Sequence, residues 1–412
     1  MDSATIDLLD LDRFQRQEHH EMFRRLRAEA PVWWQEHPTS RGFWNVVKHA
    51  DVVEVGRDPE RFSSEVGGVG LLDPGQTRMS DLRGLILTEM DPPKHTRYRL
   101  LVNKGFTPRM IGMLEHHLRF RAELIVDNVI ERGSCDLVND IAAELPLQAI
   151  AEIMGVPQDE RHLLFDWSNR MIGADDPEYA TSPTEGRTAA AELAAYINDL
   201  AKQRRASPRD DIVTRLINAE IAGDRLTEEE FDLFILLLTI GGNETTRYTT
   251  SAGVLALLEH PEQHGLLRAD VDGRLDTAVE EFLRWASPVY MFRRTATVDT
   301  ELRGQPIAAG DKVVEWYVSA NRDEDVFEDP FRFDVTRSPN PQVAFGGGGP
   351  HFCLGANLAR MQLRIMFREI LERMRDLEAA GPAEILRSNF ISGVKHLPVR
   401  FAPGRRRHRA GV

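Results

Sequence analysis

Only two cysteines, Cys135 and Cys353, occur in 412 residues. That excludes a disulfide framework, and it excludes a four-thiolate zinc or iron–sulfur site built by this chain alone. A cationic excess is also missing. Lys plus Arg number 51 against 65 Asp plus Glu, a net charge of −14. Such a surface suits no phosphate backbone, so no nucleic-acid partner is expected. Long apolar runs are absent too. A membrane span needs about 20 apolar residues, and stretches such as Leu233–Leu238 fall far short. The N-terminal MDSATIDLLDLDRF has neither a basic n-region nor an apolar h-region, which leads to the expectation of a cytoplasmic protein. There is no internal repeat and no Gly/Ser- or Pro-rich linker. One catalytic domain over residues 1–403 is expected, followed by a basic flexible tail, GRRRHRAGV, at 404–412.

What is present is ordinary for a globular core: 42% hydrophobic and 28% charged residues. Apolar groups recur at helical spacing over 111–131, 138–154, 188–203 and 210–221. The strongest helix signal starts at Thr227, which forms a capping-box pattern with Glu230, and stops at His260-Pro261. A helix of that reach is roughly 48 Å long, enough to cross the domain. Strand-like pieces are short: Gly42–Val47, Arg294–Leu302, Lys312–Val318 and Leu397–Phe401. The fold class is mainly α with small β-sheets.

The most informative segment is FGGGGPHFCLGANLAR, Phe345 to Arg360. Four successive glycines hold neither helix nor strand and permit positive φ. After Gly355 a helix begins, with Leu363, Phe367, Ile370, Met374 and Leu377 on one apolar face. Cys353 thus sits where a glycine loop enters a helix N-terminus, a place that stabilises an anionic sulfur. Such a thiolate serves as nucleophile or metal ligand, and a bed without side chains lets a large flat group approach. The segment resembles the haem-binding loop of the cytochrome P-450 monooxygenases. Gly349, His351, Cys353 and Gly355 fit its pattern, whereas Phe345 stands one residue farther from the cysteine than usual.

The resemblance extends along the chain. The long helix carries Gly241-Gly242-Asn243-Glu244-Thr245, two glycines that cost about 1 kcal/mol each against alanine. His95 and Arg99 lie four apart, on one helical face, after Pro92-Pro93. The resemblance implies a cytochrome P-450 fold with haem b (iron protoporphyrin IX) between the long central helix and the cysteine-loop helix. It implies Cys353 as the axial iron ligand and Gly241 as room for haem and O2. It implies Glu244 and Thr245 as a proton-relaying acid–alcohol pair. His95, Arg99, Arg294 and His351 become the cations that meet the haem propionates, with Phe345 and Gly355 in the haem bed. Glu281, Arg284 and Arg332 become a structural trio. The implied activity is hydroxylation of a hydrophobic small molecule, lipid-, steroid- or terpenoid-like, with O2 and two electrons from a separate ferredoxin-type donor. Arg360, Arg364 and Arg368, four apart, are candidates to dock that acidic donor. Candidate substrate contacts are the loop Val66–Leu87, Thr239, Ile240, Val289–Phe292, Phe390 and Ile391. A peroxide-driven peroxygenase and a haem carrier or gas sensor are the competing readings.

Overall fold

The long helix runs from Glu228 to Glu259, and its start is set by the sequence around Thr227. The Thr227 hydroxyl accepts from the Glu230 N–H at 3.1 Å, and the Glu230 carboxylate accepts from the Thr227 N–H at 2.9 Å. Two donors that a helix end leaves orphaned are thereby satisfied. His260 ends it, and Pro261 opens the next helix. The computed structural model describes residues 6–73, 75–76, 83–103, 108–172, 176–179, 184–221 and 223–408.

Around the central helix pack the helices Glu144–Met154, Arg161–Ile172, Glu185–Ala206, Val271–Ala286 and Ala356–Arg373. The last of these is the cysteine helix. Its face Leu363, Phe367, Ile370 and Met374 is at most 1% exposed, as its spacing requires. Phe367 stacks on Phe282 of Val271–Ala286 with centroids 4.0 Å apart. Gly253 of the central helix lies against both rings, close enough that a Cβ there would meet Phe367 at 2.6 Å. Each such ring buried contributes about 1.5–3 kcal/mol. This apolar seam fixes the cysteine helix against the central one.

One five-stranded sheet flanks the helices, in the order Val32–Gln35, Phe43–Val46, Lys312–Trp316, Met291–Ala296, Phe62–Ser63. Lys312–Trp316 runs parallel to Phe43–Val46 and antiparallel to Met291–Ala296, with Val313 opposite Arg294. Among the described residues no helix is long and apolar enough to cross a membrane.

Four expectations need correction. The 138–154 pattern divides into a wide turn, Val138–Ala142, and the helix Glu144–Met154. The 210–221 pattern yields only Ile212–Ile217, because Glu220–Ile221 pairs with Asp224–Arg225 as a hairpin. Arg332 contributes its carbonyl, not its guanidinium, to the Glu281–Arg284 pair; Arg337 supplies the second cation, 3.2 Å from Glu281. Residues 404–408 are not a free end. The Arg407 and His408 N–H groups donate to Asp127 at 2.9 and 2.8 Å, and Arg406 pairs with Glu131. Acids on the helix Pro108–Ile130 hold that stretch, which composition alone could not reveal. Residues 409–412 lie outside the described residues.

Candidate active site

The cysteine loop is built on left-handed backbone. Gly346, Gly348 and Gly349 have φ of 92°, 98° and 74°. Gly349 has a second constraint, because a Cβ there would lie 2.3 Å from the Gly56 carbonyl. The loop can therefore press against the end of His49–Arg57 only as bare backbone. It closes with the Cys353 N–H donating to the Phe345 carbonyl at 3.0 Å. The additional residue between Phe345 and Cys353 is absorbed by these glycines, and Phe345 still faces the cavity, with Arg360 over its ring at 4.6 Å.

Cys353 opens onto a cavity of about 1540 Å3, open solvent at its mouth included. The sulfur is accessible from that cavity yet enclosed by protein. Burial pushes its thiol up, opposed by the Gly355 N–H and the charges of Arg99 and Arg360. His95, Arg99, Gly241, Thr245, Arg294, Phe345, His351 and Gly355 line the same cavity. Residues far apart in the chain are thus gathered at one place.

The rim is cationic, and among the described residues no carboxylate lines it. Arg99 donates to the carbonyls of Pro350 and Phe352, at 2.8 and 2.5 Å, which ties the helix Lys94–Val102 to the cysteine loop. Arg294 lies 3.3 Å from Glu315. The His351 ring is 3.2 Å from the Ser64 hydroxyl and 4.4 Å from the His95 ring. Burial and the neighbouring Arg99 push His95 down to about 4. Burial, then Arg294, His95 and Arg99, push His351 down to about 2. Both imidazoles are neutral at pH 7 and still carry one N–H to donate. His95 is 1% exposed, and neither ring nitrogen has a hydrogen-bond partner among the described residues. A buried donor left in this state calls for a ligand oxygen. A flat, dianionic macrocycle with a metal for the sulfur satisfies rim, orphaned imidazole and thiol together, so these residues fit haem.

To the same cavity the central helix presents Gly241 and Thr245. Among the described residues, and apart from the helix's own backbone, nothing lies within 4 Å of where a Gly241 Cβ would stand, whereas at Gly242 a Cβ would meet Ile150 at 2.5 Å. The first glycine leaves space and the second permits helix packing. The Thr245 hydroxyl donates to the Gly241 carbonyl at 2.8 Å. Glu244 is placed differently from Thr245. It is 1% exposed and turned toward Arg161–Ile172, where it accepts from Ser168 at 3.0 Å and Asn243 at 3.1 Å and pairs with Arg247. Adjacent residues on a helix point about 100° apart. The acid therefore stands behind the hydroxyl rather than in the cavity.

Leu87, Val289 and Phe292 line the cavity, as expected, together with Leu237 and Leu238. Thr239 does not; it is fully buried, with its hydroxyl bonded to the Ile235 carbonyl. Ile240 is also outside the lining, and Phe390 and Ile391 pack beside Tyr248 and Leu386. Residues 74 and 77–82 of the expected loop lie outside the described residues. Gly56, Tyr317 and Gln362 line the cavity without having been singled out. The three arginines of the cysteine helix are engaged within the chain. Arg360, Arg364 and Arg368 face Glu280, Asp276 and Asp272 at 2.6, 3.6 and 2.7 Å. This ladder ties two antiparallel helices together, so the stripe is not an uncompensated positive face.

The cytochrome P-450 family profile matches residues 6–379. A steroid C26-monooxygenase of Mycolicibacterium smegmatis is 44% identical over 384 residues, covering 91% of this chain and 89% of that protein. A methyl-branched lipid omega-hydroxylase of Mycobacterium tuberculosis is 42% identical over 392 residues, covering 92% and 90%. The solved structure of a Mycobacterium marinum cytochrome P-450 in complex with pseudoionone superposes with a TM-score of 0.87 at 41% identity, covering 93% of this chain and 95% of that one. With its cysteine, glycine bed and cationic rim around one cavity, the chain belongs to the cytochrome P-450 family and is a haem-dependent monooxygenase.

Proposed function

We propose that this enzyme binds haem b and hydroxylates an aliphatic carbon of a lipophilic molecule, a steroid or methyl-branched lipid, with electrons from a separate ferredoxin-type donor. The observation that carries the reading is a single cavity. Cys353, Gly241 and Thr245 line it together with the apolar Leu87, Leu237, Leu238, Val289 and Phe292. Haem held by Cys353 supplies an iron that activates dioxygen for insertion into a C–H bond. His95, Arg99, Arg294 and His351 bind and orient the propionates. Gly241 leaves room beside the central helix for a diatomic ligand. Thr245 holds a proton at Oγ1, now given to the Gly241 carbonyl, on the cavity side. Glu244 holds charge behind it, connected to Ser168 and Arg247. The leucines, Val289 and Phe292 exclude water and offer an apolar bed, which supports a hydrocarbon rather than a polar substrate. The names of the relatives in Mycolicibacterium smegmatis and Mycobacterium tuberculosis support the same class. We further propose that the chain works as one catalytic domain.

The test is spectroscopic. Reduced protein under carbon monoxide should show the red-shifted Soret band of thiolate-ligated haem, and Cys353→Ala should abolish it. Steroids with branched side chains and methyl-branched fatty acids should shift the ferric spectrum, and product analysis should locate a new hydroxyl. Spectral shifts with polar macrolides and none with these lipids would overturn the substrate assignment. Turnover with peroxide but none with reduced ferredoxin would overturn the electron route.

A further inference from the structure

The strand Lys312–Trp316 carries a carboxylate where its pattern calls for an apolar side chain. Val313 and Glu315 share one face of the strand, and Val313 and the following Tyr317 belong to an apolar cluster with Val52, Val55 and Val343. Between them Glu315 is 0% exposed. Among the described residues no close, well-aligned donor meets either of its oxygens, and the Tyr317 hydroxyl makes at most a loose hydrogen bond to it. Its compensation is the Arg294 guanidinium, 3.3 Å from Oε2 and diagonal to it across the strand pair. On the other side is Gly56, where a Cβ would come within 2.9 Å of Oε1. Tyr317 neighbours both charges.

A buried carboxylate with one ionic partner and only a loose hydrogen bond is an expensive arrangement. Methionine or leucine would pack there more cheaply. The surroundings suggest what the charge does. Arg294, Gly56 and Tyr317, the groups in contact with Glu315, all line the haem cavity. The other charged or titratable groups on that rim are His95, Arg99 and His351, and Asp91 is the next acid that Arg294 feels.

We propose that Glu315 is a positioning residue for the cofactor: it holds the Arg294 guanidinium at the cavity rim and places a fixed negative charge behind the haem edge that makes the iron harder to reduce. The proposal rests on haem occupying this cavity. Reduction of ferric to ferrous haem adds one electron, and therefore one unit of negative charge, to the bound group. A buried anion nearby disfavours that step, and the low dielectric of the site strengthens the effect. Without Glu315, Arg294 is uncompensated and favours the added electron.

The experiment is a redox titration of the holoenzyme and its Glu315→Gln and Glu315→Asp variants, with the reduced carbon monoxide spectrum read first. E315Q should keep the thiolate Soret band and shift the ferric/ferrous midpoint to more positive potential. E315D, which keeps the charge, should stay near the parent. Absence of the thiolate band in the parent would refute the haem reading itself. The band with equal potentials in parent and E315Q, or with the same shift in both variants, refutes the role of Glu315 alone. Should E315Q fail to accumulate, R294Q and R294Q/E315Q pose the same question without the uncompensated cation. The double variant should be the more readily reduced of the two, and equal potentials would again overturn the proposal.

Discussion

Two glycines of the central helix, Gly241 and Gly253, should respond in opposite directions to the same substitution. Alanine at either position gains about 0.8–1.0 kcal/mol of helix propensity. At Gly241 nothing among the described residues, apart from the helix's own backbone, lies within 4 Å of the new Cβ, so that gain is undiminished. At Gly253 the Cβ would stand 2.6 Å from Phe367 Cζ and 3.0 Å from Phe282 Cγ. Carbon atoms prefer a separation of about 3.5–4.0 Å, and these two rings are stacked on each other at 4.0 Å within the seam. They cannot retreat without moving a helix. Overpacking of this kind costs about 1–3 kcal/mol. Gly241→Ala should therefore be at least as stable as the parent and Gly253→Ala less stable than Gly241→Ala by about 1–3 kcal/mol. Urea midpoints followed by far-ultraviolet circular dichroism, with and without haem, measure the difference. The Gly241 methyl projects into the cavity, so that variant should also bind lipids more weakly in spectral titrations. Equal midpoints for the two variants, or the reverse order, would falsify the assignment of one glycine to space and the other to packing.

Other perturbations have similarly definite outcomes. Arg284→Met leaves Glu281, 0% exposed, with Arg337 and Asn340 but without its principal partner; a loss of about 3–5 kcal/mol is expected, read as a lower denaturation midpoint and poor haem retention. Deleting 404–412 removes two N–H donors from the Asp127 carboxylate, itself 4% exposed. That should cost about 2–4 kcal/mol, and an unchanged unfolding temperature would show that the stretch is not held in solution. His19 is buried against Phe14, with ring centroids 4.7 Å apart, and burial followed by the charge of Arg322 pushes it from 6.5 down to about 3. Above pH 6.5 it is neutral in both folded and unfolded chains. As pH falls from 6.5 toward 3, the unfolded chain takes up the proton first, and stability drops by about 1.4 kcal/mol per pH unit. His19→Phe should flatten that slope in pH-dependent urea titrations, and an unaltered slope would assign acid sensitivity elsewhere.

Much of the site was legible because its chemistry is local. The glycine run, the cysteine and the helix that follows are contiguous, and the turn requires glycine wherever φ is positive. The central helix was legible for the same reason: Thr227 and Glu230 cap each other three residues apart, and Pro261 cannot continue a helix interior. Charge partners were less legible. Arg332 and Arg337 lie five residues apart and far from Glu281 in sequence, and which guanidinium turns toward it depends on the path of the loop between them. The arginine stripe of the cysteine helix looked available for a partner because its spacing is visible, whereas Asp272, Asp276 and Glu280 come from another helix. Glu315 did leave a signal, a charge inside the run KVVEWYV, but periodicity cannot say whether such a residue faces water or a buried cation.

Amino-acid order by itself therefore determined the ends of the central helix, the strained cysteine turn, the kind of ligand atom and the absence of a disulfide scaffold. Each of these follows from backbone torsions and hydrogen bonds within a few residues. Tertiary structure decided which cations converge on the cavity rim, that Thr245 faces the cavity while Glu244 turns to Ser168 and Arg247, and that the basic C-terminal stretch is bound by Asp127. These outcomes depend on side-chain direction and on charges brought together from distant segments, and both exist only once the helices have packed.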